Sequence, residues 1–476
     1  MEIFKYSGPS FDLYGEEWSD SLILDDGPWP APRATQPLAA EVEVPGSKSI
    51  TNRELVLAAL ADGPSTLRRP LHARDTQLMI DALRALGVSF EEQDGDGRFG
   101  PDLVITPTAE LEGGVSIDCG LAGTVMRFVP PVAALALGPV NFDGDPSARK
   151  RPMGGVLEGL KQLGVEVRDD GRGRLPFSLY GNGKIEGGEV EIDASASSQF
   201  VSGLLLAAPR FERGLKVTHR GGALPSVPHI EMTLESLRRR GVTATSPESG
   251  VWQVEPGPIA AIDLTIEPDL SNAAPFLLAA VVAGGEVCIP DWPTETTQVG
   301  DLLREILPKF GAEISLDGTT LICRVAQPLV EAQRPGVELD FTDAGGELAP
   351  NIAAVCALLA SESRITGIAH LRGHETDRVA ALAAELTRIG AEVEELPDAL
   401  VIRPGELHGA LWQCYEDHRM ATSGALVGLA IDGIELDDVG STSKTLPQFV
   451  AMWRAMITGA PHEPESNDTS FLSLGI

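Results

Sequence analysis

Paired cysteines, long apolar runs and basic charge are what this sequence has least of. Its five cysteines, at 119, 288, 323, 356 and 414, are odd in number, widely spaced and never arranged as C-x-x-C. That argues against a disulfide framework and a structural zinc, and it fits a reducing cytoplasm. The longest apolar run, around Ala273 to Gly285, contains Pro275 and falls short of the roughly 18 residues that a membrane-spanning helix needs. The N-terminus carries Glu2, Asp12, Glu16 and Glu17 instead of a basic start and an apolar stretch, so no secretory signal is expected. With 37 basic against 69 acidic residues the formal charge is −32, which makes nucleic acid and anionic membranes poor partners. On so acidic a chain, which has only eight lysines, a cluster of cations is informative.

What is present points to an α/β protein. Aromatics make up 5% of the residues and hydrophobics 43%, and 476 residues exceed what one ordinary core accommodates, so two domains are expected. One pattern recurs about every 75 residues, longer than a solenoid repeat: an amphipathic helix, a glycine, then a short strand. It is seen at Gly87, Gly164, Gly241, Gly311 and Gly390, where glycine supplies the left-handed C-cap. A degenerate sixth copy is read near Phe449 to Met456, with no strand after it. Three units per half give two similar domains joined within Pro256 to Pro268. Residues 1–35 read as an acidic, loosely ordered extension. Residues 47–267 form one domain, and 36–46 with 268–476 form the other, so that the chain starts in one domain, builds the second and returns. A G-x-G-x-x-G match at Gly95, Gly97 and Gly100 is set aside, because a strand and not a helix is expected after it.

The stretch Gly46 to Arg53, GSKSITNR, closes a strand carrying Val42 and Val44 and opens a helix near Ser49. Free N–H groups and the positive end of a helix dipole form an anion site, beside which Lys48, Ser49 and Arg53 add an ammonium, a hydroxyl and a guanidinium. Others repeat this design. In DCGLAGTVMRF, Gly120 and Gly123 allow close backbone approach, with Thr124 and Arg127 following. Ser197, Ser198 and Gln199 precede an apolar helix, and capping explains only one of these three. Glu375 and Arg378 are expected in one first helical turn, with capping by Glu375 or Thr376 as the plainer role. Arg151, Arg419 and Lys444 likewise lie near helix starts.

The ordered set GSKSITNR, LAGTVMR, KRPM, SASSQF, HETDR, DHRMA and STSKT resembles the 5-enolpyruvylshikimate-3-phosphate synthases, glyphosate's target family, from about Val42 to Phe449. The resemblance implies the enolpyruvyl transferase fold, with two domains of three βαβαββ units each and the active site in the interdomain cleft. It also implies a monomer needing no cofactor or metal. The implied reaction moves the enolpyruvyl group of phosphoenolpyruvate to the 5-hydroxyl of shikimate 3-phosphate and releases phosphate, a step of aromatic amino-acid biosynthesis. Carried over motif by motif, Lys48, Ser49, Arg53, Ser197, Ser198, Gln199, Ser226, Glu347 and His374 hold shikimate 3-phosphate. Lys48, Gly123, Arg151, Gln199, Arg378, Arg419 and Lys444 grip phosphoenolpyruvate, whose anionic groups suit guanidinium forks, and Arg127 supports that wall.

The reaction requires an acid and a base. Glu347 is the expected base toward the hydroxyl and Glu375 the acid toward C3, with Lys48 as a proton shuttle. Arg378 lowers and burial raises the pKa of Glu375, and sequence alone leaves that balance open. The chain departs from the family pattern at Leu121 (commonly Asn), Phe128 (Pro), His229 (Tyr), Glu347 (Asp) and His374 (Lys). The alternatives are an enolpyruvyl transferase acting on a UDP-amino sugar, disfavoured by SASSQF and HETDR, and a non-catalytic anion-binding relative.

Overall fold

A computed structural model describes residues 27–95, 98–343 and 346–459. Within them the apolar side chains separate into two cores. One is built from Ile50 to Ile266; the other takes Trp29 to Val44 together with Leu270 to Met456.

The glycine-punctuated repeats fold as expected from their residues. Gly87, Gly164, Gly241, Gly311 and Gly390 all have positive φ, between 78° and 101°, a region open to glycine at no steric cost. After each, the chain reverses into an antiparallel strand pair, such as Glu313–Asp317 with Thr320–Val325 and Glu392–Leu396 with Ala399–Arg403. These pairs complete five four-stranded sheets in which one further neighbour is parallel.

The sixth sheet is the degenerate copy. Leu411–Trp412 and Glu435–Leu436 pair in parallel, and the place of the missing hairpin is taken by Trp29–Pro30, antiparallel to Glu435–Leu436. Trp29 is buried in the core. The expected extension of residues 1–35 is therefore corrected: residues 29 and 30 belong to a sheet, and residues 1–26 lie outside the described residues.

Two first strands are exchanged between the halves. Leu38–Glu41 runs parallel to Gly285–Cys288, while Asp263–Thr265 runs parallel to Ser65–Arg68. The first of these lies earlier than the strand read around Val42 and Val44; those valines follow it, buried, with Val42 N still bonded to Cys288 O at 2.8 Å. The two crossings run side by side. Ser47 N donates to Glu267 O and Asp269 N to Pro45 O, both at 2.8 Å. A Cβ on Gly46 would lie 2.2 Å from Arg69 O, so only glycine passes here.

Inside each core lie helices buried on all sides, which is why they lack a polar stripe. In the first core they are Lys48–Ala59, Gly123–Ala133 and Gln199–Ala207, and in the second Leu270–Ala283, Ala349–Cys356 and His418–Ala430. The helix of residues 48–59 begins at Lys48, one residue before the expected start. The segment after Gly100 is the strand Asp102–Thr106, hydrogen-bonded to neighbours on both sides, as the rejection of a dinucleotide loop requires; Gly97 lies outside the described residues. Among the described residues no helix is long and apolar enough to cross a membrane.

Candidate active site

The inner helices of both cores begin at one cleft. Lys48, Gly123, Gln199, Ser271, Glu347 and Arg419, each in or beside the first turn of a different helix, line the same cavity. Six N-terminal ends converging on one space set a positive field before any side chain is counted. Asp269 ties two of them together. Its Oδ1 accepts Asn272 N at 2.9 Å and its Oδ2 accepts Lys48 N at 3.0 Å, capping one helix from each domain.

Most of the residues expected at the site meet there. Lys48, Ser49, Gly123, Arg127, Arg151, Ser197, Gln199, Glu347, His374, Glu375, Arg378 and Arg419 all line the cavity. Gly123 has a steric reason: a Cβ there would stand 2.7 Å from Arg127 Nη1 and 2.9 Å from Arg151 Nη2. Arg127 in turn donates to Gln199 Oε1 at 3.2 Å, and Arg151 Nη1 to Leu121 O at 2.9 Å. Leu121 thus contributes its carbonyl, where the family resemblance expects an amide side chain. Phe128, buried, stacks beneath the Arg53 guanidinium at 5.2 Å, and the helix start at Gly123 is intact.

Four expected residues stand elsewhere. Arg53 is not on the cavity wall: it is fully buried, with Nε on Thr233 Oγ1, Nη1 on Ser49 O and Nη2 on His229 O, each at 2.8 Å. Burial pushes its pKa down to about 10. Ser198 is buried and Ser226 has a left-handed φ of 56°; both precede helices, and neither lines the cavity. Lys444 lies behind the wall and reaches it through Glu375, with Nζ 2.5 Å from Oε1.

Glu375 precedes the helix Arg378–Arg388 and does not share its first turn, because the cap is Asp377, which accepts Ala380 N at 3.0 Å. Arg378 Nη2 nevertheless holds Glu375 Oε2 at 3.0 Å, and His374 Nδ1 lies 3.7 Å from the same oxygen. Burial pushes the Glu375 carboxyl up, but Lys444 and Arg378, with His374 and Arg151, outweigh it and hold the pKa well below the ordinary glutamate range. The balance left open by the sequence is resolved toward the ionised form. His374 is pushed down by burial and by Arg378, so it faces the cavity as a neutral imidazole.

Glu347 sits at the cleft wall with a quarter of its side chain facing the cavity and protein around the rest. Burial raises its pKa, and His229, Arg419 and Lys48 together bring it well below the usual value. Its Oε2 accepts Ser271 Oγ and its Oε1 accepts His229 Nε2, both at 3.0 Å. Two carboxylates thus stand ionised amid Lys48, Arg151, Arg378, Arg419 and Lys444, an arrangement suited to a polyanion and to proton transfer.

Sequence reasoning missed several partners. Asp417 accepts Arg378 Nε at 2.8 Å and Nη2 at 3.1 Å, and caps the next helix through Arg419 N at 2.9 Å. Asp75 lies 3.6 Å from Lys48 Nζ. Ser271, Gln298 and His418 also line the cavity. For Asp269 and Asp417 a signal existed, an Asp immediately before an apolar helix, but nothing local shows that an N-cap serves a distant cation as well.

The comparisons with known proteins agree with this geometry. The EPSP synthase (3-phosphoshikimate 1-carboxyvinyltransferase) family matches residues 32–453. A 3-phosphoshikimate 1-carboxyvinyltransferase of Kocuria rhizophila is 55% identical over 438 residues, which are 91% of this chain and 97% of that relative. EPSP synthase of Acinetobacter baumannii, a solved structure, has the same fold with a TM-score of 0.70 at 22% identity, over 90% of this chain and 97% of the other. The enolpyruvyl transferase NikO of Streptomyces tendae superposes with a TM-score of 0.66 at 17% identity, over 89% and 96% of the two chains. With two domains of the enolpyruvyl transferase fold closing on a cationic cleft, the chain belongs to the EPSP synthase family.

Proposed function

We propose that the interdomain cleft is where this enolpyruvyl transferase joins phosphoenolpyruvate to the 5-hydroxyl of shikimate 3-phosphate and releases phosphate. The observation that carries the reading is the meeting of Glu347 and Glu375, both ionised, in one cavity with Lys48, Arg378 and Arg419. Both substrates are polyanions. Bringing them together costs Coulomb repulsion, which the cations and six helix N-termini offset.

Lys48, Ser49, Ser197, Gln199, Glu347 and His374 then face shikimate 3-phosphate, while Lys48, Gly123, Arg151, Gln199, Arg378 and Arg419 hold phosphoenolpyruvate, with Lys444 acting from behind the wall through Glu375. Arg53, Ser198 and Ser226 support the first group from behind the wall. Glu347 takes the 5-hydroxyl proton as oxygen attacks C2, Glu375 delivers a proton to C3, and the tetrahedral adduct collapses with loss of phosphate. An acid must first carry a proton. Phosphoenolpyruvate engages Arg378 and Arg151, weakening the cationic hold on Glu375, so burial raises its pKa and the proton arrives with the substrate. Lys48 is placed to carry charge between the two. Fixing two reactants in near-attack geometry in a closed cleft can supply up to about 7–11 kcal/mol of barrier lowering. The family resemblance favours a monomer, the net charge of −32 argues against nucleic-acid or anionic-membrane partners, and the five free cysteines fit a cytoplasmic setting.

Phosphate release from the purified protein tests this reading. Release that needs both phosphoenolpyruvate and shikimate 3-phosphate supports it; release with a UDP-amino sugar in place of shikimate 3-phosphate, or binding without turnover, overturns it.

A further inference from the structure

We propose that His229 is a positioning residue for this reaction: reaching across the cleft, its imidazole fixes the Glu347 carboxylate and makes placement of the base depend on domain closure. The inference rests on the reading of Glu347 as the base. His229 lies in the first turn of Val227–Arg239, in the first domain, and Glu347 immediately precedes Ala349–Cys356 in the second. His229 Nε2 and Glu347 Oε1 are 3.0 Å apart. A carboxylate can only accept, so Nε2 carries the hydrogen.

The other oxygen is held from its own domain by Ser271 Oγ, also at 3.0 Å. Glutamate has one more rotatable bond than aspartate, so a base on this longer arm needs two anchors where one would leave it free to swing. The second anchor is supplied only when the domains are together. Opening the cleft breaks it and leaves Glu347 on Ser271 alone.

His229 is itself held firmly. Its carbonyl accepts Arg53 Nη2 at 2.8 Å and Ser202 Oγ at 3.4 Å, and Arg53 is locked in turn by Thr233. This gives buried Arg53 a task. It braces the turn that presents His229. Placement matters because a displacement of about 1 Å at a reacting group costs on the order of 100-fold in rate.

The test is a double-mutant cycle on kcat and KM with His229→Phe, His229→Gln, Glu347→Gln and the His229→Phe/Glu347→Gln pair, each checked by circular dichroism for a retained fold. His229→Phe is expected to lower kcat roughly 10- to 100-fold with KM for phosphoenolpyruvate little changed. His229→Gln, whose amide N–H reaches the position of Nε2, restores most of the loss. In the Glu347→Gln background His229→Phe has no further effect, because the residue acts through that carboxylate. An unimpaired His229→Phe, a Gln variant as poor as the Phe variant, or full additivity of the pair overturns the proposal while leaving Glu347 as the base. Wild-type turnover in Glu347→Gln overturns both.

Discussion

Lys444 and Glu375 meet at 2.5 Å, ammonium to carboxylate, although 69 residues separate them in sequence. With Arg378 on the other oxygen, the carboxylate is kept charged despite its burial. Glu375→Gln is therefore expected to lower turnover about 10²- to 10⁴-fold with the fold retained, read as phosphate release beside a circular dichroism melt. Wild-type turnover in the folded variant would remove Glu375 from the reaction.

The same ionisation links stability to pH. The pKa values of Glu375 and Glu347 in the folded protein lie below the ordinary 4.5, so the stability they contribute is fully present above that value. It is lost as pH falls through the lower folded-state values. Urea midpoints measured from pH 6 to pH 3 should fall in acid for the wild type. A Glu347→Gln/Glu375→Gln protein should start lower and vary less.

Asp417 holds Arg378 with both oxygens, and all of its side chain is buried. Asp417→Ala leaves a buried guanidinium short of a partner and removes a helix cap. The expected loss is about 3–5 kcal/mol of stability, with a raised KM for phosphoenolpyruvate. Urea unfolding and initial rates measure the two effects separately.

Arg53 makes its hydrogen bonds to Thr233, Ser49 and His229. Arg53→Met should cost at least about 2 kcal/mol of stability and change KM for shikimate 3-phosphate less than Lys48→Met does. A stable Arg53→Met protein whose KM for that substrate rises as far as in Lys48→Met would place the guanidinium in the binding site.

Gly46→Ala puts a methyl group 2.2 Å from Arg69 O at the paired crossings. Backbone must shift to admit it, at a cost of about 1–3 kcal/mol. Because Lys48 and the Asp269 cap lie a few residues away, turnover should fall together with the melting temperature.

Much of this molecule was legible in its sequence because the signals are local. A glycine at each helix end admits a left-handed turn that other residues resist, and the alternation after it favours a strand, so the repeats could be read. Cations beside helix starts marked the anion site for a similar reason: charge and free N–H groups lie within one turn of each other. What stayed hidden depends on partners distant in sequence. The sequence places Arg53 among the other cations, and only the packing of Val227–Arg239 against Lys48–Ala59 turns its guanidinium inward, toward His229 and Thr233. Trp29–Pro30 carries no strand signal of its own; it is a strand because Glu435–Leu436 offers an open edge. The charge of Glu375 was undetermined from composition, since burial and cations push in opposite directions, and distances decide which prevails. Local propensity thus determined the elements and the nature of the site, while the tertiary structure decided which charges face the cleft and which support it.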